Sequence, residues 1–217
     1  MNLLVTGANG YIGSNFIKKA SVKGYKIFAL TRKKKSKKIK NVKWLVGGID
    51  KNWKELKQTD ILIHLAAVGG YTRFSTFREC YNFNVLKSKK LVENSVRNGC
   101  NKLLIISSKK EKKIKNLKIN KNQIKNYEKI PDYIYALTKA IFSKFCFDFS
   151  KKNNVKIRIV RLYHVYGRNE KKFRLWPALI KAAKNNKDFK MTSGNQKTDF
   201  NYIDDVVDGL ISVINFK

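Results

Sequence analysis

The stretch Thr6-Gly7-Ala8-Asn9-Gly10-Tyr11-Ile12-Gly13 decides the fold. An apolar run, Leu3-Leu4-Val5, precedes it. Helical spacing follows over residues 14–23, with Phe16, Ile17 and Ala20 on one side. GxxGxxG at a strand-to-helix turn is a variant of the dinucleotide fingerprint. The first glycine permits a tight turn, the second lets backbone approach a pyrophosphate, and the third lets helix and strand pack closely. The pyrophosphate then lies on a helix N-terminus, where free N–H groups and the helix dipole favour an anion. No Lys follows Gly13, so this is not a GxxxxGK[ST] phosphate loop. Taken alone, the glycines also fit an ordinary tight turn.

Working outward, apolar runs over residues 26–31, 42–46, 60–67, 103–107 and 155–162 read as strands. Helical spacing covers residues 84–98, with Leu86, Leu91, Val92 and Val96 on one side. It returns over residues 131–151, which begin with a Pro, and over 175–184 and 204–214. Strands apolar on both faces, alternating with helices, predict an α/β fold: a Rossmann-like, doubly wound parallel sheet. The expected division is a dinucleotide-binding domain over residues 1–167 and an abbreviated substrate-binding portion over 168–217. Residues 109–129 read as a loop insertion.

Composition bounds the function. The 217 residues, 43% of them apolar, suffice for a sizeable core. The net charge is +33, from 48 Lys and Arg against 15 Asp and Glu. Lys, Asn and Ile together make up 83 residues, and these types share A/T-rich codons, so compositional drift accounts for the excess as a solvated Lys surface. Arg, the residue that pairs bidentately with phosphates and bases, is scarce, so nucleic acid is not an expected partner. Two dense Lys runs, residues 32–40 and 109–125, leave weak polyanion binding as an alternative. Cys80, Cys100 and Cys146 are odd in number and widely spaced, which argues against disulfides and metal sites. No apolar run reaches membrane-spanning length, and residues 1–7 do not resemble a secretion signal, so a cytoplasmic location is expected.

Three further signals carry chemistry. At the end of the second strand, Thr31 is followed by Arg32, where an NAD-selective site would place a carboxylate. A cation there fits the 2′-phosphate of NADP, while leaving NAD open. Tyr135 and Lys139 stand at i and i+4, on one helical face, where an ammonium lowers the pKa of a phenol and makes it an acid/base. Ser107-Ser108 closes the fifth strand, at the sheet edge where such folds bind ligands. Singly, the pair also fits a surface contact and the serines a strand-end cap.

Together the chain resembles an extended short-chain dehydrogenase/reductase of the NAD-dependent epimerase/dehydratase family. The resemblance rests on the glycine loop, His64-Leu65-Ala66-Ala67, Asn84-Val85, Ser107-Ser108 and Tyr135 with Lys139. It continues through Arg161-Leu162-Tyr163-His164-Val165-Tyr166-Gly167 and Asp199-Phe200-Asn201-Tyr202-Ile203-Asp204-Asp205-Val206. It implies that Gly7, Gly10, Tyr11, Ile12 and Gly13 hold pyrophosphate, and that Leu65, Ala66 and Ala67 line the cofactor groove beside Asn84. It further implies that Ser108 binds the reacting oxygen, Tyr135 is the acid/base, and Lys139 binds ribose and tunes Tyr135. His164 falls on the substrate side. A homodimer through the helices carrying Asn84 and Tyr135 is also implied.

The departures are specific. Gly47-Gly48-Ile49-Asp50 lacks the Asp that often follows the third strand. His164 and Arg168 replace the Asn and Pro of RxxNVYGP. Lys109-Lys110 stand where 4,6-dehydratases carry Asp-Glu, which disfavours dehydration. The expected activity is an NAD(P)-dependent nucleotide-sugar epimerase or 4-ketoreductase. The alternative is a catalytically degenerate dinucleotide-binding module.

Overall fold

In β1 (Asn2–Thr6), Leu3 and Val5 point to one side and Leu4 to the other, and all three are fully buried. Such a strand must be covered on both faces. The computed structural model, which describes residues 1–32, 38–70, 76–114 and 131–215, shows how. The order continues with α1 (Tyr11–Val22), β2 (Lys26–Thr31), β3 (Val42–Val46), β4 (Ile61–His64) and α2 (Phe77–Tyr81). Then come α3 (Ser88–Arg97), β5 (Lys102–Ser108), α4 (Pro131–Asn153) and β6 (Lys156–Leu162). The last part holds β7 (His164–Tyr166), α5 (Leu175–Lys184), β8 (Phe200–Tyr202) and α6 (Ile203–Ser212). The remainders of the two Lys runs, residues 33–37 and 115–130, lie outside the described residues.

Six strands form one parallel sheet in the order β3-β2-β1-β4-β5-β6, the doubly wound Rossmann arrangement expected. β7 and β8 pair in parallel as a separate ribbon. One core joins Leu3, Val5 and Ile63 to Phe16 and Ile17 of α1 and to Val207, Leu210 and Ile211 of α6. The other joins Leu4, Leu62 and Ile105 to Leu91 and Val92 of α3 and to Phe142 and Cys146 of α4. Among the described residues no helix is long and apolar enough to cross a membrane.

The helical face expected for residues 84–98 needs correction. Residues Asn82–Lys87 form a π turn, so the face rotates there: Val85 is fully buried and Leu86 is 49% exposed. The strand expected over residues 60–67 stops at His64, where the chain leaves the sheet.

His64 ties the two halves together. Its Nε2 lies 3.0 Å from Ser88 Oγ, and its Nδ1 lies 2.7 Å from Thr6 Oγ1. Ser88 donates its own proton to Phe83 O, so it accepts from His64 Nε2–H, and Nδ1 is left to accept from Thr6. Thr6 Oγ1 in turn accepts from Ala66 N. Complete burial, and then the charge of Lys139, push His64 down to about 3. The folded protein therefore keeps His64 neutral, while the unfolded chain protonates it near pH 6.5, so stability falls as pH drops below that value. Between pH 6 and 4.5 the parent should lose about 1.4 kcal/mol more unfolding free energy per pH unit than His64→Gln, measured by urea denaturation. Parallel profiles for the two proteins would remove this role of His64.

Candidate active site

The glycine loop is shaped by space. Gly7 has a φ of 68°, and a Cβ on it would lie 2.8 Å from Ala66 N. A Cβ on Gly13 would lie 2.2 Å from Gly7 O. No side chain fits there, so α1 starts directly behind the end of β1. Gly10 caps α1 in extended conformation, with no side-chain cap and no acidic residue in the first turn. The N-terminal N–H groups and the positive end of the helix are thus open to an anion.

A cavity of about 690 Å³ opens at this point, between the carboxyl ends of the strands. Gly7, Gly10, Arg32, Leu65, Ala66 and Ala67 line it, together with Asn9, Thr31, Gly47 and Ile49. Asn9 donates to the Thr31 hydroxyl and so fixes the rim beside Arg32. Asp50 is not in the lining; its carboxylate lies 3.5 Å from Lys87 Nζ. Gly13 is not in the lining either, since it serves packing. Tyr11 and Ile12 pack their side chains against the α1–α6 core, which leaves them only backbone to offer the groove. Burial, followed by the negative charge of Glu170, pushes the Tyr11 hydroxyl up to about 12.

Asn84 belongs to the frame. Its Oδ1 accepts from Val68 N at 2.9 Å, and its Nδ2 donates to Val68 O and to Thr138 Oγ1, both at 3.0 Å. It therefore clamps the groove-lining segment to α4, one residue before Lys139. The signal for this clamp is the π turn, which spacing alone does not reveal.

On α4, Lys139 is 3% exposed and donates from Nζ to Ile106 O at 2.6 Å. Burial pulls its pKa down to about 8, leaving it an ammonium at neutral pH. Tyr135, one turn earlier, packs its ring against Gly69 and Gly70: a Cβ on Gly70 would meet Tyr135 Cε2 at 3.3 Å. Ser108 ends β5 half-buried, and its hydroxyl accepts from Lys110 N.

Gly70 also lines a second cavity of about 760 Å³, walled by the β7–β8 ribbon and α5. His164, Tyr166, Trp176 and Phe200 form an aromatic wall; Tyr166 and Trp176 have ring centroids 5.5 Å apart, and Trp176 and Phe200 5.6 Å. Lys110 and Arg174 bring cations, and Glu170 holds Arg174 Nε at 3.1 Å. The wall can take a flat ring and the cations an anion. His164 is held below its ordinary value by burial and then by Lys109 and Arg174, so it is neutral. Arg168, standing where the resemblance expects Pro, bonds Asp204 at 2.6 Å and so joins two of the motif segments. Among the described residues, no group of three or more His, Cys, Asp or Glu is arranged to hold a metal ion.

Known proteins resemble this chain along nearly its whole length. CDP-abequose synthase from Salmonella muenchen is 29% identical over 218 residues, covering 98% of this chain and 69% of that protein. A Bacillus subtilis protein named as an uncharacterized UDP-glucose epimerase, YtcB, is 27% identical over 236 residues, 99% of this chain and 72% of its own. The structure is similar to UDP-glucose 4-epimerase from Thermotoga maritima, solved with UDP-glucose, at a TM-score of 0.78 and 19% identity, covering 99% of this chain and 74% of that one. It is likewise similar to UDP-glucuronic acid 4-epimerase from Bacillus cereus, solved with NAD, at a TM-score of 0.79 and 22% identity, covering 100% and 75%. These two structures share the fold. The model of the NAD dependent epimerase/dehydratase family matches residues 3–217, and the chain belongs to that family.

Proposed function

We propose that this chain binds a dinucleotide, NADP in preference to NAD, and uses it to epimerise or reduce a nucleotide-sugar held by His164, Tyr166 and residues 168–217. The observation that carries this reading is the position of Tyr135. Residues 65–68 line the groove, Gly70 lines the second cavity, and Tyr135 packs on Gly69 and Gly70, where the chain passes from one lining to the other. The dinucleotide fits the open N-terminus of α1 and the glycine cradle before it. When bound, it supplies a carbon that gives or takes hydride.

The chain's own residues supply the rest. Gly7 and Gly10, with the backbone of Tyr11, Ile12 and Gly13, hold the pyrophosphate, and Arg32 meets the 2′-phosphate. Ser108 hydrogen-bonds the reacting sugar oxygen, and Tyr135 takes or returns its proton. The Lys139 ammonium favours the tyrosinate form and binds the ribose. Lys109 and Lys110 offer no carboxylate for loss of water, which supports epimerisation or reduction over dehydration. His164 and the aromatic wall take the nucleotide-sugar. The Salmonella relative is named for a CDP-sugar and the solved structures for UDP-sugars, so both nucleotides belong in the assay. Leu86 and Phe147, 49% and 56% exposed on helices of the expected dimer face, support a homodimer.

Tyr135→Phe should keep NADPH affinity within about twofold of the parent while hydride transfer, followed by nicotinamide absorbance, falls by about 10²-fold or more. Equal turnover in that variant ends the acid/base assignment. Arg32→Asp should shift the NADPH-to-NADH affinity ratio toward NADH by about tenfold or more, measured by fluorescence titration. An unchanged ratio rules out the 2′-phosphate contact.

A further inference from the structure

The 3-10 turn Lys109–Lys113 reads Lys-Lys-Glu-Lys-Lys, and its one acid turns inward. Lys109 reaches Thr198, Lys110 reaches Asp132 and Lys112 reaches the Tyr163 hydroxyl, whereas the Glu111 side chain is 4% exposed. Glu111 Oε2 accepts from the Ser107 hydroxyl at 3.0 Å and from the Ser143 hydroxyl at 2.8 Å, and Oε1 accepts from Arg161 Nε. These three partners come from β5, α4 and β6. Ser107 precedes Ser108, and Ser143 lies one helical turn beyond Lys139. Every partner donates, as a carboxylate requires.

Burying a cation is costly unless an opposite charge lies near. Lys139 is the buried cation of this region. The groups that bear on it are Cys146 on its own helix, Glu111 from the 3-10 turn and His64 on β4; Tyr135 stands one turn earlier on the same helix. Burial pushes the Cys146 thiol up to about 12 and keeps His64 neutral, so neither supplies negative charge at neutral pH. Glu111 does.

We propose that Glu111 is a positioning residue for Lys139. Its buried carboxylate fastens the end of β5 to α4 and β6, and it provides the negative charge that keeps Lys139 an ammonium beside Tyr135. Its consequence for catalysis rests on the function proposed above; the electrostatic link does not, and it can be read without substrate.

The test is NMR titration of the whole protein carrying 13Cε-labelled lysine, with the Lys139 signal assigned by its loss in Lys139→Met. The parent midpoint is expected near pH 8. In Glu111→Gln it should fall by about one pH unit. Ser143→Ala, which removes a hydroxyl and no charge, should leave it in place. An unmoved midpoint in Glu111→Gln, or an equal movement in Ser143→Ala, overturns the proposal. If Glu111→Gln does not fold by circular dichroism, Arg161→Gln carries the test: freeing the carboxylate of its cation should raise the Lys139 midpoint, and no rise overturns it. The alkaline limb of kcat should shift with the midpoint. A shifted midpoint without a shifted limb leaves Glu111 in place and refutes the acid/base reading instead.

Discussion

Everything at the ligand-facing edge of this sheet depends on one close approach, that of Gly13 to the carbonyl of Gly7. A single carbon at Gly13 would overlap that oxygen. Because none is there, α1 abuts the end of β1, its positive terminus opens on the groove, and its far side is free to meet α6. A second close approach sets Gly7 against Ala66, so the loop after β1 and the segment after β4 form two lips of one groove. The groove sits between β1 and β4, where the winding of the sheet reverses.

Much of this was legible from the residues. Strands buried on both faces leave near-continuous apolar runs, as in β2, and the spans of β3 and α5 follow from a short apolar run and from helical spacing. The groove rim followed from the order of motifs. What remained hidden shares a cause: side chains meeting across distant parts of the chain. Asn84 reads as a groove residue and acts as a clamp because a π turn aims it at Val68 and Thr138. Tyr11 reads as part of the pyrophosphate loop, yet its ring belongs to the α1–α6 core. Glu111 carries no signal of its own inside the Lys run, since nothing local announces Arg161, 50 positions later.

The chain carries 40 Lys, and the difference between them is burial. Among the described residues most lie in water, where a charge costs little and its pairs contribute about 0–1 kcal/mol. Lys139 is enclosed and held by one carbonyl. The excess of positive charge thus says little about this site; one enclosed ammonium says more than the rest combined.

The π turn at Asn82–Lys87 closes i→i+5 hydrogen bonds, one residue more per turn than regular winding. Removing a residue there would restore ordinary winding and swing Asn84 away from its three hydrogen bonds to Val68 and Thr138. The irregular winding is therefore held in place by the very contacts it makes possible.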